Sequence, residues 1–252
     1  MGLFRPDFLA ATEHRPWPMP RAPFAMHMVW EDLLFAHWSF PPEAIARRLP
    51  PGLELDTFEG KAWLGIVPFR MSGTRPRFCP PVPGLSSFPE LNVRTYVTAG
   101  GKPGVWFFSL DAAQWLAVRL ARLGFSLPYY DAAMSCRQEG ETIHYSSRRT
   151  HKGAPAGELR GRYRPISEPR SARPGLETWL VERYCLYACT ARGTILRGEI
   201  HHDRWPLQDA EAELELNTVS DGWSLPLPDE TPLLHFVKRI PVVAWLPHRV
   251  RI

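Results

Sequence analysis

The stretch PELNVRTYVTAGGKPGVWFFSLD, residues 89–111, is typical of an antiparallel β-hairpin. Residues 89–97 and 104–111 are two runs rich in β-branched and aromatic side chains, which favour strands. The six residues between them, TAGGKP, include two glycines that can adopt the backbone angles of a tight turn. The sequence therefore predicts two paired strands, from which the flanking segments can be interpreted outward.

The first strand of this hairpin has two different faces, because successive side chains of a strand point to opposite sides. One face is apolar and carries Leu91, Val93 and Val97. The other face is mostly polar and carries Glu90, Asn92, Arg94 and Tyr96. Two interpretations are open: a half-exposed strand with a solvated polar face, or a strand whose polar face lines a cavity.

The flanking sequence predicts further strands and a few short helices. Strand-like runs lie at 28–40, 61–71, 131–139, 141–149, 158–165, 184–190, 194–202, 233–239 and 242–250. Helical patterns lie at 41–52, 112–122 and 176–183. Asp111 can cap the second helix, and a proline-rich loop occupies 72–88. Without regular βαβ alternation, we expect an α+β fold, mostly antiparallel, with a barrel-like or wrapped sheet.

The whole chain of 252 residues is expected to form one domain, 1–252, with residues 1–27 as a proline-rich arm. It is 44% apolar with a net charge of +4. The sequence has no apolar leader and no run long enough to span a membrane, so we expect a cytoplasmic protein without membrane partners. Its cysteines show no zinc-like Cys/His spacing, and in a cytoplasmic protein we expect them to be free of disulfides. The arginine-rich run 162–174 is interpreted as a solvated loop, and no nucleic-acid partner is predicted.

Two short stretches carry side chains capable of chemistry. His201 and His202 are adjacent in a predicted strand and point to opposite faces, so they cannot chelate one ion, and no metal site is predicted. His202 is either a buried, hydrogen-bonded histidine or an acid/base group in a pocket. Glu182, Arg183 and Tyr184 lie together at a helix-to-strand junction, where the arginine is either structural or holds a substrate carboxylate.

Several motifs together resemble a known family. They are HRPWPMP, LLFAHWSFPPEAIARRLPPGLELDTFEGKAWLGIVPFRM, FPELNVRTYV, ARLGFSLPYYDAAM, ERYCLY and IHHDRWPLQDAEAE. Over nearly its full length, the chain resembles the YqjF-like family, also called domain of unknown function 2071. That family is similar, more distantly, to the acetoacetate decarboxylase-like superfamily, which implies a mostly antiparallel, barrel-like fold around a buried pocket.

The resemblance can be followed to single residues. Phe88-Pro89-Glu90 matches the stretch that places a glutamate in the decarboxylase pocket, and Ala121-Arg122 matches a Gly-Arg pair. Leu127-Pro128-Tyr129-Tyr130 then falls where the decarboxylases have an aromatic residue, a proline and two catalytic lysines. Both lysines are tyrosines here, and tyrosine cannot form an imine. The Schiff-base mechanism is therefore not expected.

The resemblance and the residues together suggest a pocket protein that binds or transforms a small organic acid or keto compound by acid/base chemistry. The expected catalytic residues are Glu90 as base and Tyr129 and His202 as proton donors. The expected ligand-binding residues are Asn92, Arg94, Arg122, Tyr130, Glu182, Arg183 and Tyr184. No cofactor is predicted, and homo-oligomerisation is left open. The alternatives are a non-catalytic binding or sensor protein, and a structural protein whose cavity is filled by its own side chains.

Overall fold

The computed structural model describes residues 7–250 of the chain. Its strands are β1 (Met26–Phe40), β2 (Glu54–Leu55), β3 (Ala62–Pro76), β4 (Phe88–Ala99), β5 (Lys102–Ala112), β6 (Tyr129–Glu139), β7 (Thr142–Arg149), β8 (Glu158–Pro165), β9 (Cys185–Cys189), β10 (Ile195–His202), β11 (Gln208–Asn217), β12 (Leu233–Ala244) and β13 (His248–Arg249). Its α-helices are α1 (Pro42–Ala46), α2 (Trp115–Phe125) and α3 (Leu176–Val181).

All thirteen strands belong to one sheet that closes on itself twice. The hydrogen-bonded order is β13-β10-β9-β5-β6-β7-β8-β11-β12-β1-β3-β4-β2, with additional pairings between β10 and β12 and between β4 and β5. One closed circuit passes through β6, β7, β8 and β11, and the other passes through β9 and β10. The two circuits share β12, β1, β3, β4 and β5. These shared strands therefore have an interior on each side.

Each circuit encloses its own apolar core, and the shared strands supply alternate residues to both. Leu34 of β1 and Leu91 of β4 pack into the core between the shared strands and β7–β8. Leu33 and Phe35, which flank Leu34 on β1, pack into the other core, on the side of β9 and β10. The period of two along a strand is thus used to fill two interiors. This explains why β4 is buried almost throughout and why β1 and β3 have continuous buried stretches at 32–38 and 64–69.

The α+β class and the wrapped, mostly antiparallel sheet predicted from the sequence are confirmed. The hairpin of β4 and β5 forms as predicted, with Gly100 and Gly101 at positive φ in its turn. The pairings β5–β6 and β5–β9 are parallel. The β5–β6 pair needs a crossover between the ends of its strands, and α2 supplies it.

Several predicted boundaries were wrong. The strand at 61–71 continues as β3 to Pro76, which shortens the loop to 77–87. The helix at 41–52 is reduced to α1, and the two closing strands are mainly one strand, β12. Asp111 does not cap α2, because it is fully buried on β5 and binds Arg149, with Oδ1 2.7 Å from Nε and Oδ2 3.0 Å from Nη2. The side chain of Gln114 caps α2 instead.

The arginine-rich run is not a loop throughout, because part of it lies on β8. There, arginines face glutamates of β11, a strand that was not predicted from the sequence. The pairs are Arg160–Glu215 at 2.8 Å, Arg162–Glu213 at 2.6 Å and Arg164–Glu211 at 2.5 Å. Cross-strand pairs of opposite charge favour this register. The acidic, alanine-containing sequence of β11 has low intrinsic strand propensity, so its pairing depends on β8.

The N-terminal arm was predicted at residues 1–27, of which 1–6 lie outside the described residues. The described part packs against β10, where the ring of Phe8 stacks on His201 at 5.7 Å. All four cysteines are free, as predicted. Among residues 7–250, no helix has both the length and the apolar composition needed to cross a membrane.

Candidate functional site

A cavity of about 640 Å³ lies on the β9–β10 side of the shared strands. Its wall is formed by β1, β3, β4 and β5, and α2 and the loop 77–87 cover it from another side. The lining is mostly apolar. Polar side chains also contribute to the lining. Glu90, Asn92, Arg94, Tyr129 and Arg183 are buried, and Thr74, Arg75, Ser86 and Gln114 lie around the loop 77–87. An apolar cavity with a few polar groups is typical of a small-molecule site.

Strand β4 brings three of these polar side chains to the cavity. Glu90, Asn92 and Arg94 alternate with Leu91 and Val93, which enter the opposite core. All five side chains are buried. The interpretation of a solvated polar face is therefore wrong, and the cavity-lining interpretation is confirmed for this strand.

Glu90 and Tyr129 meet inside the cavity wall. The parallel pairing of β5 with β6 places Tyr129 beside Leu110, while Glu90 lies opposite Ala112 on the other side of β5. The Tyr129 hydroxyl donates a hydrogen bond to Oε2 of Glu90 at 3.0 Å. The two residues come from positions 39 apart in the chain. This contact joins the matched decarboxylase glutamate to the first of the two tyrosines that replace the lysines.

Burial determines the protonation of both groups. It raises the pKa of Glu90 to about 8, although the hydrogen bond from Tyr129 lowers that pKa, while the charge of Asp111 raises it further. Burial, together with the neighbouring Glu90, also raises the pKa of Tyr129 well above 10. Glu90 can therefore exchange a proton near neutral pH, whereas Tyr129 remains a protonated hydrogen-bond donor.

Two buried arginines face the same cavity. Arg94 is held only loosely, with Nη2 3.4 Å from the Tyr96 hydroxyl and its guanidinium 5.0 Å from the centre of the Phe35 ring. Arg183 is fixed more firmly, since Nη1 donates to Asp56 at 2.6 Å and Nε donates to the carbonyl oxygen of Trp179 at 2.6 Å. Burial lowers the pKa of Arg183, and the nearby Asp56 carboxylate opposes this.

Several buried polar atoms of the lining have no hydrogen-bond partner. They are Nε of Arg94, Nη2 of Arg183, Oδ1 of Asn92 and the indole nitrogens of Trp30 and Trp205. Buried polar groups without partners are rare and costly in folded proteins. Four of these five atoms are donors. Side chains with unpaired hydrogen-bond donors therefore surround the cavity.

No lysine lines this cavity, and all four lysines of the chain lie in its described part. Lys102 pairs with Glu199 at 3.0 Å, and Lys238 pairs with Asp32 at 2.5 Å. Neither Lys61 nor Lys152 is among the lining residues. An imine-forming amine is therefore missing from the cavity, in agreement with the replacement of both lysines by tyrosines.

Residues 27–241 match a family model described as an uncharacterized conserved protein, the domain of unknown function 2071. The chain belongs to this family. A relative in it, the uncharacterized protein YqjF of Bacillus subtilis strain 168, is 45% identical over 228 residues, which are 90% of this chain and 93% of the relative. The family predicted from the sequence motifs is thus confirmed.

The fold of this YqjF-like chain is that of acetoacetate decarboxylase-like enzymes. It is similar to the enduracididine biosynthesis enzyme MppR complexed with pyruvate, with a TM-score of 0.63, 12% identity and 91% of each chain covered. It is also similar to the acetoacetate decarboxylase of Legionella pneumophila, with a TM-score of 0.61, 14% identity and 94% of each chain covered. An acetoacetate decarboxylase-like enzyme from Sphingomonas wittichii RW1 gives a TM-score of 0.62 at 11% identity, with 91% of this chain and 94% of that chain covered.

In this YqjF-like chain, His202 lies behind the cavity wall and is not one of the lining residues. Its ring packs between Tyr184 and Trp205, with centroid distances of 4.8 Å to each. Nδ1 lies 2.7 Å from the carbonyl oxygen of Asp203, and burial lowers the pKa of the ring to about 4. His202 is therefore the buried, hydrogen-bonded histidine of the structural interpretation. The expectation that it faces the cavity was wrong, since its ring packs against Trp205, which lines the cavity, and His202 itself does not line it.

Glu182 and Tyr184 form a contact of their own beside His202. The Tyr184 hydroxyl donates to Oε2 of Glu182, and Oε1 of Glu182 accepts from the backbone N–H of Trp205. Neither side chain lines the cavity. Of the three residues predicted at this junction, only Arg183 lines the cavity that Glu90 also lines.

Arg122 and Tyr130 lie at a second cavity, of about 530 Å³. Arg122 donates from Nη1 to the carbonyl oxygen of Tyr129 at 2.7 Å, and its guanidinium lies 5.6 Å from the centre of the Tyr130 ring. Tyr129 and Tyr130 are consecutive on β6, so they point to opposite sides. The prediction that all these residues share one pocket was therefore wrong.

One group of side chains in the described residues has a spacing that could hold a cation. Ligand atoms of Glu177, Asp209 and His235 lie within 4.8 Å of one another. The guanidinium of Arg170 already binds both carboxylates, at 2.7 Å from Glu177 and 2.5 Å from Asp209. This group therefore functions as an ion-pair cluster.

Sequence reasoning missed the two tryptophans of the lining and the wall that α2 supplies. Trp30 and Trp205 stack at 5.8 Å, and both indole N–H groups are unpaired. Alternation from Leu33 would place Trp30 on the opposite face, because an irregularity at Asp32, whose φ is +52°, shifts the pattern of β1. Trp205 lies in the connection after β10, where strand alternation gives no direction.

Proposed function

We propose that this protein binds a small organic acid or keto compound in the 640 Å³ cavity and catalyses an acid/base step on it. The observation that carries the proposal is the buried Glu90–Tyr129 pair in a cavity that Arg94 and Arg183 also line, each with an unpaired donor in its side chain. Enolisation is the simplest such step, and dehydration or decarboxylation without an imine would need the same groups.

The protonation of Glu90 suits general acid/base work. A group that takes up and releases protons during turnover is most effective when its pKa is near the working pH. Burial has moved the pKa of Glu90 to about 8, and the carboxyl is 1% exposed. Its environment thus resembles that of a tuned base rather than that of a surface carboxylate.

In the proposed enolisation, the Glu90 carboxylate removes a proton from the carbon next to the keto group. The electrons of the broken C–H bond move to the keto oxygen, and N–H groups of Arg94 and Arg183 donate hydrogen bonds to the developing oxyanion. Glu90 then returns its proton to the enolate. Tyr129 positions the Glu90 carboxyl through its hydrogen bond, because its own pKa is too high for it to act as an acid.

Two alternatives remain distinct from this proposal. A purely structural protein would have its interior filled by its own side chains. A cavity of about 640 Å³ argues against this alternative. A non-catalytic binding or sensor protein would use the same arginine donors but would not need a proton-exchanging Glu90. The raised pKa of Glu90 favours the enzyme over the sensor.

The test is deuterium exchange of oxo acids in heavy water, followed by nuclear magnetic resonance. Pyruvate, acetoacetate and longer 2-oxo acids are incubated with the wild type, with Glu90→Gln and with Glu141→Gln, whose glutamate is exposed in a turn. We expect catalysed exchange by the wild type that increases as pH approaches 8, and about a 100-fold loss in Glu90→Gln only. Binding without exchange above the spontaneous rate would support the sensor, and no binding at all would contradict the proposal.

A further inference from the structure

The cavity is much larger than a three- or four-carbon keto acid. One water molecule occupies roughly 30 Å³ in the liquid. A cavity of about 640 Å³ therefore has the volume of about twenty water molecules. A ligand as small as pyruvate would leave most of this space unfilled. Since most of the lining is apolar, the remaining space is suited to hydrocarbon rather than to further polar groups.

Polar and apolar side chains are arranged in order along the cavity. On β4, Arg94 lies six residues from Phe88, where the loop 77–87 ends, and this is about 20 Å along an extended strand. Glu90 and Asn92 lie between these two points. Arg94 and Arg183 are both buried. On β4, the buried donor Arg94 therefore lies at a distance from the loop and Glu90 lies nearer to it, whereas Arg75, which also lines the cavity, lies at the end of β3 beside the loop.

The opposite end of the cavity is open and mainly apolar, with Thr74, Arg75, Ser86 and Gln114 among its polar lining residues. Val82 and Leu85 of the loop and Leu120 of α2 line the cavity and are also exposed, at 48%, 40% and 61% respectively. Met26 and Met28, at the start of β1, line the cavity as well. Methionine side chains adapt to apolar groups of different shape. The cavity therefore opens between α2 and the loop 77–87.

We propose that the ligand is an oxo acid with an extended apolar chain, which rests on the function proposed above. Its carboxylate and the adjacent oxo group accept hydrogen bonds from Arg94 and Arg183, and the carbon on the other side of the oxo group reaches Glu90. The apolar chain then extends past Met28 toward α2 and the loop 77–87. This order of groups along the molecule matches the order of residues along β4, and it uses the apolar space that a short keto acid leaves empty.

Calorimetric titration with straight-chain monocarboxylates from butanoate to decanoate, and with their 2-oxo counterparts, tests this ligand class. Each methylene buried in the cavity should lower Kd by about fourfold. Decanoate should bind at least 100-fold more tightly than butanoate. Equal affinities along the series, or tighter binding of pyruvate and acetoacetate than of any longer acid, would overturn the inference.

Two variants locate the two ends of the ligand. Ala117→Phe on α2 places a ring in the apolar part of the cavity and should raise the Kd for decanoate at least tenfold. Leu123→Phe on the same helix is the control, because Leu123 is 84% exposed and does not line the cavity. Arg94→Met should abolish the preference for decanoate over decanol. If Ala117→Phe and Leu123→Phe bind decanoate alike, the chain is not in this cavity and the inference fails.

The outcomes separate this inference from the proposed function. If pyruvate undergoes Glu90-dependent exchange but long chains give no gain in affinity, the ligand class is wrong and the catalytic proposal stands. If long-chain acids bind with the expected dependence on length but no oxo acid exchanges its protons, the ligand class stands and the catalytic proposal fails.

Discussion

Leu91 and Val93 on one face of β4 are packed in a filled apolar core, whereas Glu90, Asn92 and Arg94 on its other face line a cavity. The two faces belong to the same strand and are buried to a similar extent. The filled side provides apolar contacts, and the cavity side keeps buried polar atoms without partners. A single strand thus combines a stabilising face with a face whose polar groups cost stability and are available for chemistry.

Truncation on the two faces should have very different effects on stability. Leu91→Ala should lower the free energy of unfolding by about 3 kcal/mol, because it leaves a void in a filled core. Asn92→Ala, one residue away, should change it by less than about 1 kcal/mol, because its Oδ1 has no partner and the side chain borders empty space. Denaturant unfolding at pH 7 measures both. A loss for Asn92→Ala as large as that for Leu91→Ala would mean that the cavity side is packed like a core.

The pH dependence of stability should report the buried carboxyl of Glu90. The pKa is about 8 in the folded protein and 4.5 for the ordinary group, so between these pH values the folded state holds a proton that the unfolded chain has released. The free energy of unfolding therefore falls as pH rises through this window, by up to about 1.4 kcal/mol for each pH unit.

Glu90→Gln isolates this contribution, because other groups titrate nearby. His202 has the opposite effect: its pKa is lowered to about 4, so its contribution to stability increases as pH rises from about 4 toward 6.5. Subtracting the free energy of unfolding of the wild type from that of the variant at each pH removes the contributions that both proteins share. We expect Glu90→Gln to gain stability relative to the wild type as pH rises from 4.5 to 8, and a difference independent of pH would show that Glu90 titrates normally.

The local pattern of residues 89–111 was sufficient to predict the hairpin and to place Glu90, Asn92 and Arg94 on one face. It could not show what lies opposite that face, because this depends on pairings between distant strands, such as β5 with β9 and β10 with β12. Alternation alone also could not determine whether His202 faces a cavity or a neighbouring ring.

Other features depend on partners far away in the chain. Asp111 has a residue type and a position suited to a helix cap, but Arg149 binds it and holds it in β5. Strand β11 has low intrinsic strand propensity, but its strict alternation of Ala210, Ala212, Leu214 and Leu216 with glutamates is typical of a half-buried strand and was overlooked. The contact between Glu90 and Tyr129 was accessible only through the family resemblance, because the two residues are 39 positions apart.

The central claim is that Glu90 is a buried, proton-exchanging carboxyl in the cavity, and its own titration tests this most directly. Carbon-13 labelling of the glutamate carboxyls, with Glu90→Gln to assign the signal, allows its chemical shift to be followed from pH 3 to pH 10. We expect the titration midpoint of Glu90 near pH 8, because burial raises its pKa by more than the hydrogen bond from Tyr129 lowers it. In Tyr129→Phe the midpoint should be higher still, because that hydrogen bond is lost. A midpoint near 4.5 in the wild type, unchanged in Tyr129→Phe, would contradict the account.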